Sequence, residues 1–294
     1  MYLPTETQPS CARAWVEVAS KISTSTEGYN VIIDVENPLA FDAKDTAITN
    51  LVDQFLKSHN AGSISTVANT IFPQAIYRKF GAPGLYSEYL KVFKTFTTKK
   101  SWGRYFLRLT RRPLVLGDKP IQVEDLPDKD TFNPLQDLID KLKRQKAKGK
   151  CVKAAHELAI YDPINDRNLH RGGPCLSFLS FKRHPEKGLL LTAMYRNHTY
   201  ITRCLGNLIG LGRLQAFVAE QVGIPVSSLT CISTHAELDK ASEKSEEGEP
   251  DEDQIKKWSV TDARKLVRQA ADILAAPPPQ VIQTKVTVEE PAAT

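Results

Sequence analysis

Residues 204–222, CLGNLIGLGRLQAFVAEQV, set the strongest constraint on what this chain can fold into. Leu205, Leu208, Ile209, Leu211, Leu214, Phe217 and Val218 make a helix here apolar nearly all round. Such a helix is stable only when other elements enclose it. Gly206, Gly210 and Gly212 lower its intrinsic propensity and predict close packing against a neighbour. Strand candidates lie on both sides of it, at 30–35, 157–161, 176–181, 189–195 and 226–235. KRHPEKG, residues 182–188, reads as the turn of a hairpin between the third and fourth of these. Strands and helices mix without strict alternation, so the expected class is α+β rather than a doubly wound fold.

The remaining sequence sets the boundaries. Of 294 residues, 41% are apolar and 25% charged, enough for a sizeable core. The net charge of +5 is too small to argue for nucleic acid as a partner. No run approaches the roughly 18 apolar residues of a membrane span, and the N-terminus is polar, unlike a signal peptide. Cys11, Cys151, Cys175, Cys204 and Cys231 form no CxxC pair, which predicts reduced thiols in a cytoplasmic protein. Asn133 and Pro134 read as the cap and first turn of a helix with Leu135, Leu138, Ile139 and Leu142 on one face. Seven Lys/Arg between 141 and 153 suit a solvated helix face near a C-terminus. EKSEEGEPDED, 243–253, repels itself and reads as a flexible connector. An amphipathic helix with Ser259 or Thr261 as its cap follows, ended by Pro277 to Pro279. The expected organisation is a domain over 1–240, an acidic linker over 241–258 and a C-terminal helix and tail over 259–294.

Chemistry concentrates in residues 170–237. The turn Gly172-Gly173-Pro174 places Cys175 at the mouth of a strand. Arg196 follows the partner strand, 21 residues on, and a guanidinium near a sulfur lowers the thiol pKa. Asn207 puts an amide, with one acceptor and two donors, inside the apolar helix. That amide suits either a backbone partner or the edge of a heterocyclic base. His235 ends a strand close to Glu237 and Asp239.

GGPC at 172–175, YRN at 195–197, LGN at 205–207 and STHAEL at 233–238 stand in an order and spacing that resembles the thymidylate synthase superfamily. The family reads roughly PPCH, QRS, GxPFN and GDxHxY. Upstream, NPLQDLIDKLKR at 133–144 and AIYDP at 159–163 resemble the helix and strand around the family's SRR…SAWNP segment. GRYFLRL at 103–109 is similar to its GxxYGxxWR segment and points to Tyr105. The resemblance covers about residues 60–240.

It implies a thymidylate synthase-like mixed sheet flanked by helices, with the C-terminal helix and tail as an extension, and a homodimer packed sheet to sheet. It implies Cys175 and Tyr105 as catalytic residues, the Cys175 thiolate adding to C6 of a pyrimidine nucleotide or nucleoside. A methyl or hydroxymethyl unit from 5,10-methylenetetrahydrofolate would then reach C5. Arg196 would bind phosphate, Asn207 would read the base, His235 would hold the ribose, and Asn197 and Glu237 would complete the substrate site. The departures are specific. Leu176 follows the cysteine where the family has His, Asn197 replaces Ser, and Glu237 replaces Tyr. Thr199 stands where a carboxylate would anchor the pterin, and Ala154 and Ala155 stand where two arginines would reach the phosphate, with Lys153 and His156 beside them. The general-base Glu aligns near Asn69. Three readings follow: an altered pyrimidine C5-transferase, a catalytically inactive nucleotide sensor or regulatory subunit, or a true pyrimidine nucleotide methylase or hydroxymethylase with relocated contacts.

Overall fold

A computed structural model describes residues 3, 5–96, 104–115, 119–168, 173–240 and 256–277. Helix α1 (Cys11–Ser25) starts where the Ser10 hydroxyl accepts from the Arg13 N–H, and it buries Cys11, Trp15, Val18, Ala19 and Ile22. Strand β1 (Glu27–Val35) follows, then α2 (Ala43–Ser58), capped reciprocally by Asp42 and Asp45. Two further helices are α3 (Ile64–Ile71) and α4 (Gln74–Phe96), the latter kinked at Gly81. The short α5 (Tyr105–Thr110) leads into a small ribbon of β2 (Arg112–Pro113) and β3 (Thr131–Phe132). Helix α6 (Pro134–Ala147) forms as its cap predicts, with Asn133 accepting from Gln136 N–H and the four apolar residues buried.

The main sheet adds β4 (Glu157–Ala159), β5 (Leu176–His184), β6 (Gly188–Tyr195), β7 (His198–Thr199) and β8 (Val226–Glu237). Its order is β1-β8-β6-β5-β4, with β7 alongside β8. The pair β5–β6 is the expected hairpin, but both strands run further, so Lys182, Arg183 and His184 belong to the ladder. Strand β4 is shorter than the expected 157–161. Strands β6 and β8 run parallel, so they need a crossover, which helix α7 (Leu205–Val222) supplies. One π-helical turn, Tyr200–Cys204, precedes α7, so the helix begins one residue later than the sequence predicts. Cβ atoms on Gly206 and Gly210 would meet Val67 Cβ at 2.6 Å and the Ala68 carbonyl at 2.8 Å, so α3 does press onto the glycines.

Trp15, wholly buried, donates its indole N–H to the Tyr200 carbonyl at 2.7 Å and ties α1 to the π turn. Helix α8 (Val260–Ala275), capped by Ser259, buries Ala263, Leu266, Val267 and Ala270 in the same core, against α1 and α2. The acidic run 243–253 and the tail beyond Pro277 lie outside the described residues. Among the described residues no helix is long and apolar enough to cross a membrane.

Across the strands, Ile32, Ile232, Met194 and Phe178 are register partners in one row on the sheet face turned away from the buried core. Met194 is 38% exposed there. The next row is polar: Asp34, Thr230, Thr192, Ser180 and Glu157.

Candidate functional site

Cys175 lies at the start of β5, half-buried against the core. Its N–H and that of Leu176 both donate to the Tyr105 hydroxyl, at 3.2 and 3.3 Å. Tyr105 therefore holds the mouth of β5. Burial pushes its phenol up to about 12, against the pull of these N–H groups and of Arg203. A phenol in that range is protonated at neutral pH. The Cys175 carbonyl accepts from the Arg196 N–H at 2.9 Å, and the charge of the Arg196 guanidinium acts to lower the thiol's pKa. The expected cation is thus in place, but it does not set the direction. Burial pushes the Cys175 thiol up and outweighs the pull of Arg196 and Arg203, with Glu237 adding to the rise.

A second group joins Asn197, His235 and Glu237. Asn197 Nδ2 donates to Glu237 at 3.1 Å, and its Oδ1 lies 2.6 Å from His235 Nδ1. The other ring nitrogen of His235 is 3.2 Å from Glu27 on β1. A carboxylate only accepts, so His235 serves both partners when it carries two protons. Glu237 acts on Cys175 as well as on this group, so the two clusters share one end of the sheet.

Asn207 is buried in α7, and its Nδ2 is 3.0 Å from His198 Nε2. Of the two partners its sequence allowed, neither is the one found: the amide meets a side chain nine residues away. Thr199 carries only a hydroxyl, which lies 3.1 Å from the Thr202 hydroxyl. Its register partner on β8 is Glu237, whose carboxylate accepts from Asn197, and Asp239 is committed to the N–H groups of Ile201 and Thr202 and to the Thr202 hydroxyl. Thr199 itself gives a pterin no anion, and Glu237 and Asp239 already hold other partners, so position 199 does not fit methylenetetrahydrofolate as the resemblance implies it.

His156 is wholly buried, and neither ring nitrogen has a hydrogen-bond partner among the described residues. Burial and Lys182 lower its pKa, so it is no ready cation for phosphate. Ala154 is exposed, and Lys153 makes no ion pair among the described residues. Asn69, on α3, accepts from Arg213 at 3.5 Å. The arginines near residue 110 are structural. Arg108 grips Asp166 with two hydrogen bonds of 2.6 and 2.8 Å, and Arg112 reaches Asp162 at 3.1 Å. Lys146 closes α7 through the Val222 and Gly223 carbonyls.

Two residues at this end were not singled out by the sequence. Arg203, on the π turn, acts on both the Cys175 thiol and the Tyr105 phenol. His198 is the partner of Asn207. A histidine between a strand and an apolar helix was the only local signal for the second; the first depends wholly on how the turn is aimed. All five cysteines are free thiols, and among the described residues no three His, Cys, Asp or Glu side chains form a group able to hold a metal ion. No protein-family model matches the chain, and a search of curated proteins finds no match.

Proposed function

We propose that the Cys175 end of the sheet binds a pyrimidine nucleotide or nucleoside, and that Cys175 adds reversibly to C6 of the ring. Arg196, whose N–H bonds the Cys175 carbonyl at 2.9 Å and whose guanidinium pulls the half-buried thiol's pKa down, carries this reading. A cation there stabilises the thiolate once its proton has left. The S–C6 bond forms as the C5–C6 π pair moves toward C5 and O4, and elimination restores both partners. Asn207 reads the base edge, and Asn197, His235 and Glu237 face the sugar. The resemblance to thymidylate synthases supplies one-carbon transfer to C5 as the next step, but no route through a folate is derived, because Thr199 offers no anion. A homodimer belongs to the same reading, the row Ile32, Ile232, Met194 and Phe178 being its contact.

A second reading is binding without turnover, as a sensor or regulatory subunit. The upward direction of the Cys175 pKa favours it, since a protonated thiol is a poor nucleophile.

Alkylation followed by mass spectrometry separates these. Cys175 is expected to label faster than buried Cys11, Cys204 and Cys231. Its rate should rise about tenfold per pH unit from 7 to 8, as the thiolate fraction does well below a pKa. Arg196→Ala should slow it. A 5-fluoropyrimidine nucleotide or nucleoside should protect Cys175 and add its mass to the protein. Protection without added mass supports the sensor. Equal, slow labelling of Cys175 and Cys204 in the native protein defeats the covalent reading.

A further inference from the structure

We propose that Asp239 is a positioning residue for Cys175: it holds the turn that aims Arg203 at the thiol, and the C-terminal helix α8 holds Asp239 in place through Trp258. The effect is on the thiol itself, whatever ligand the site takes. The turn needs an anchor from outside. In a π turn each N–H seeks a carbonyl five residues back, so the leading N–H groups have none. Thr199, in the capping position, makes no side-chain cap bond. The Asp239 carboxylate takes that place from 38 positions away. Its Oδ1 accepts from the Ile201 N–H at 2.6 Å, and its Oδ2 accepts from the Thr202 N–H at 3.1 Å and the Thr202 hydroxyl at 2.7 Å. An anion at the head of a helical segment also meets the positive end of its dipole.

Arg203 is the next residue, and it is half-buried. Its charge pulls down both the Cys175 thiol and the Tyr105 phenol. Those two groups meet where the Tyr105 hydroxyl accepts the Cys175 N–H at 3.2 Å. A long side chain keeps one direction only when its backbone is fixed, so the anchor of the turn governs how this cation acts.

Two routes tie the same turn to α8. The buried Trp258 donates its indole N–H to the Asp239 carbonyl at 3.0 Å, and its ring meets Phe55 and His59 edge-on. Trp258 leads directly into the Ser259 cap of α8. On the other side, Arg264 of α8 donates to the Ser23 and Thr24 carbonyls of α1, and α1 sets Trp15 on the Tyr200 carbonyl. Helix α8 therefore stands behind Tyr200 through α1, and behind Ile201 and Thr202 through Asp239. Trp258 and α8 lie beyond the residues that resemble thymidylate synthases.

Alkylation of the full-length protein by iodoacetamide at pH 8, read thiol by thiol in a mass spectrometer, tests these contacts. Arg203→Ala should slow labelling of Cys175 about three- to tenfold, the effect of one half-buried neighbouring charge on a thiolate population. Asp239→Asn should slow it to a similar extent, because an amide keeps one accepting oxygen and turns donors toward the other N–H and O–H groups. Trp258→Phe keeps a ring against Phe55 and His59 but removes the N–H, and should slow Cys175 about twofold. Cys151, bonded to the Arg183 carbonyl at the other end of β5, should keep its wild-type rate throughout and is the internal reference. The double variants decide. In Arg203→Ala, neither Asp239→Asn nor Trp258→Phe should slow Cys175 further, because the guanidinium they aim is gone. Slowing of the same size in that background makes Asp239 a prop of the fold alone and overturns the proposal. So does an unchanged Cys175 rate in Arg203→Ala. An unchanged or faster rate in Trp258→Phe overturns the role of α8. If Asp239→Asn fails to fold, Trp258→Phe with and without Arg203→Ala decides alone.

Discussion

His198 couples the site to stability. Its pKa of about 3 lies below the ordinary 6.5, so at acid pH the unfolded chain takes up a proton that the folded chain refuses. The contribution is complete above pH 6.5 and is lost as pH falls from there toward 3. Between pH 7.5 and 5 the loss should be roughly 2 kcal/mol, at about 1.4 kcal/mol per pH unit below 6.5. Urea unfolding at the two pH values checks this, with His198→Phe as the reference. His156, also lowered, contributes in both proteins and cancels. Equal losses in wild type and variant would mean that His198 is protonated without penalty. Cys175 carries a related lesson. The pairing of its strand with the one before Arg196 was legible in the sequence, yet the balance of burial against charge was not, because burial depends on elements far along the chain.

Among the elements, α7 was the most legible. An all-round apolar pattern has one physical outcome, enclosure, and its glycines mark where the enclosing backbone comes closest. Gly210→Ala tests this: the new Cβ would sit 2.8 Å from the Ala68 carbonyl and 3.1 Å from its Cα. Helix propensity alone favours alanine by about 1 kcal/mol. Overpacking against backbone should reverse the sign and cost a net of about 1–3 kcal/mol, read from thermal unfolding. An unchanged or raised melting temperature would show that α3 yields freely. The five helices before residue 133 were less legible. Three of the eight buried residues of α1 are alanines, which weaken its periodic signal, and α4 contains Gly81 and Pro83, which read as breakers. The non-helical backbone at Gly81 explains how α4 continues past them, as two segments joined at a kink.

For the molecule as a whole, the two sheet faces differ. One is sealed by Val31, Ile33, Leu229, Cys231, Ala193, Leu179 and Phe181 against the helices. The other presents its row of Ile32, Ile232, Met194 and Phe178 beside a polar row. An apolar row spanning four strands is the kind of patch that associates. Sedimentation at micromolar concentration should give a dimer, and Met194→Glu should shift it toward monomer by placing a charge in the contact. A monomeric wild type would defeat the dimer. Helix α8 was expected as part of a separate extension, yet its buried residues share the core of α1 and α2.

The sequence by itself determined what neighbours in the chain can settle. Asn133 and Pro134 start α6 because cap and first turn are adjacent, and residues 185–187 turn the β5–β6 hairpin because its strands are consecutive. It also determined that α7 must be interior. Only the tertiary structure decided the order β1-β8-β6-β5-β4, the Trp15–Tyr200 bond across 185 positions, and the packing of α8 beside α1. It alone decided that Asn207 faces His198 and that Arg203 reaches Cys175. The reason is that a cap or a turn is an interaction between near neighbours, with its chemistry written in one short stretch. A pKa direction, an amide orientation and a strand order depend on which distant groups share a low-dielectric interior, and no local pattern records that.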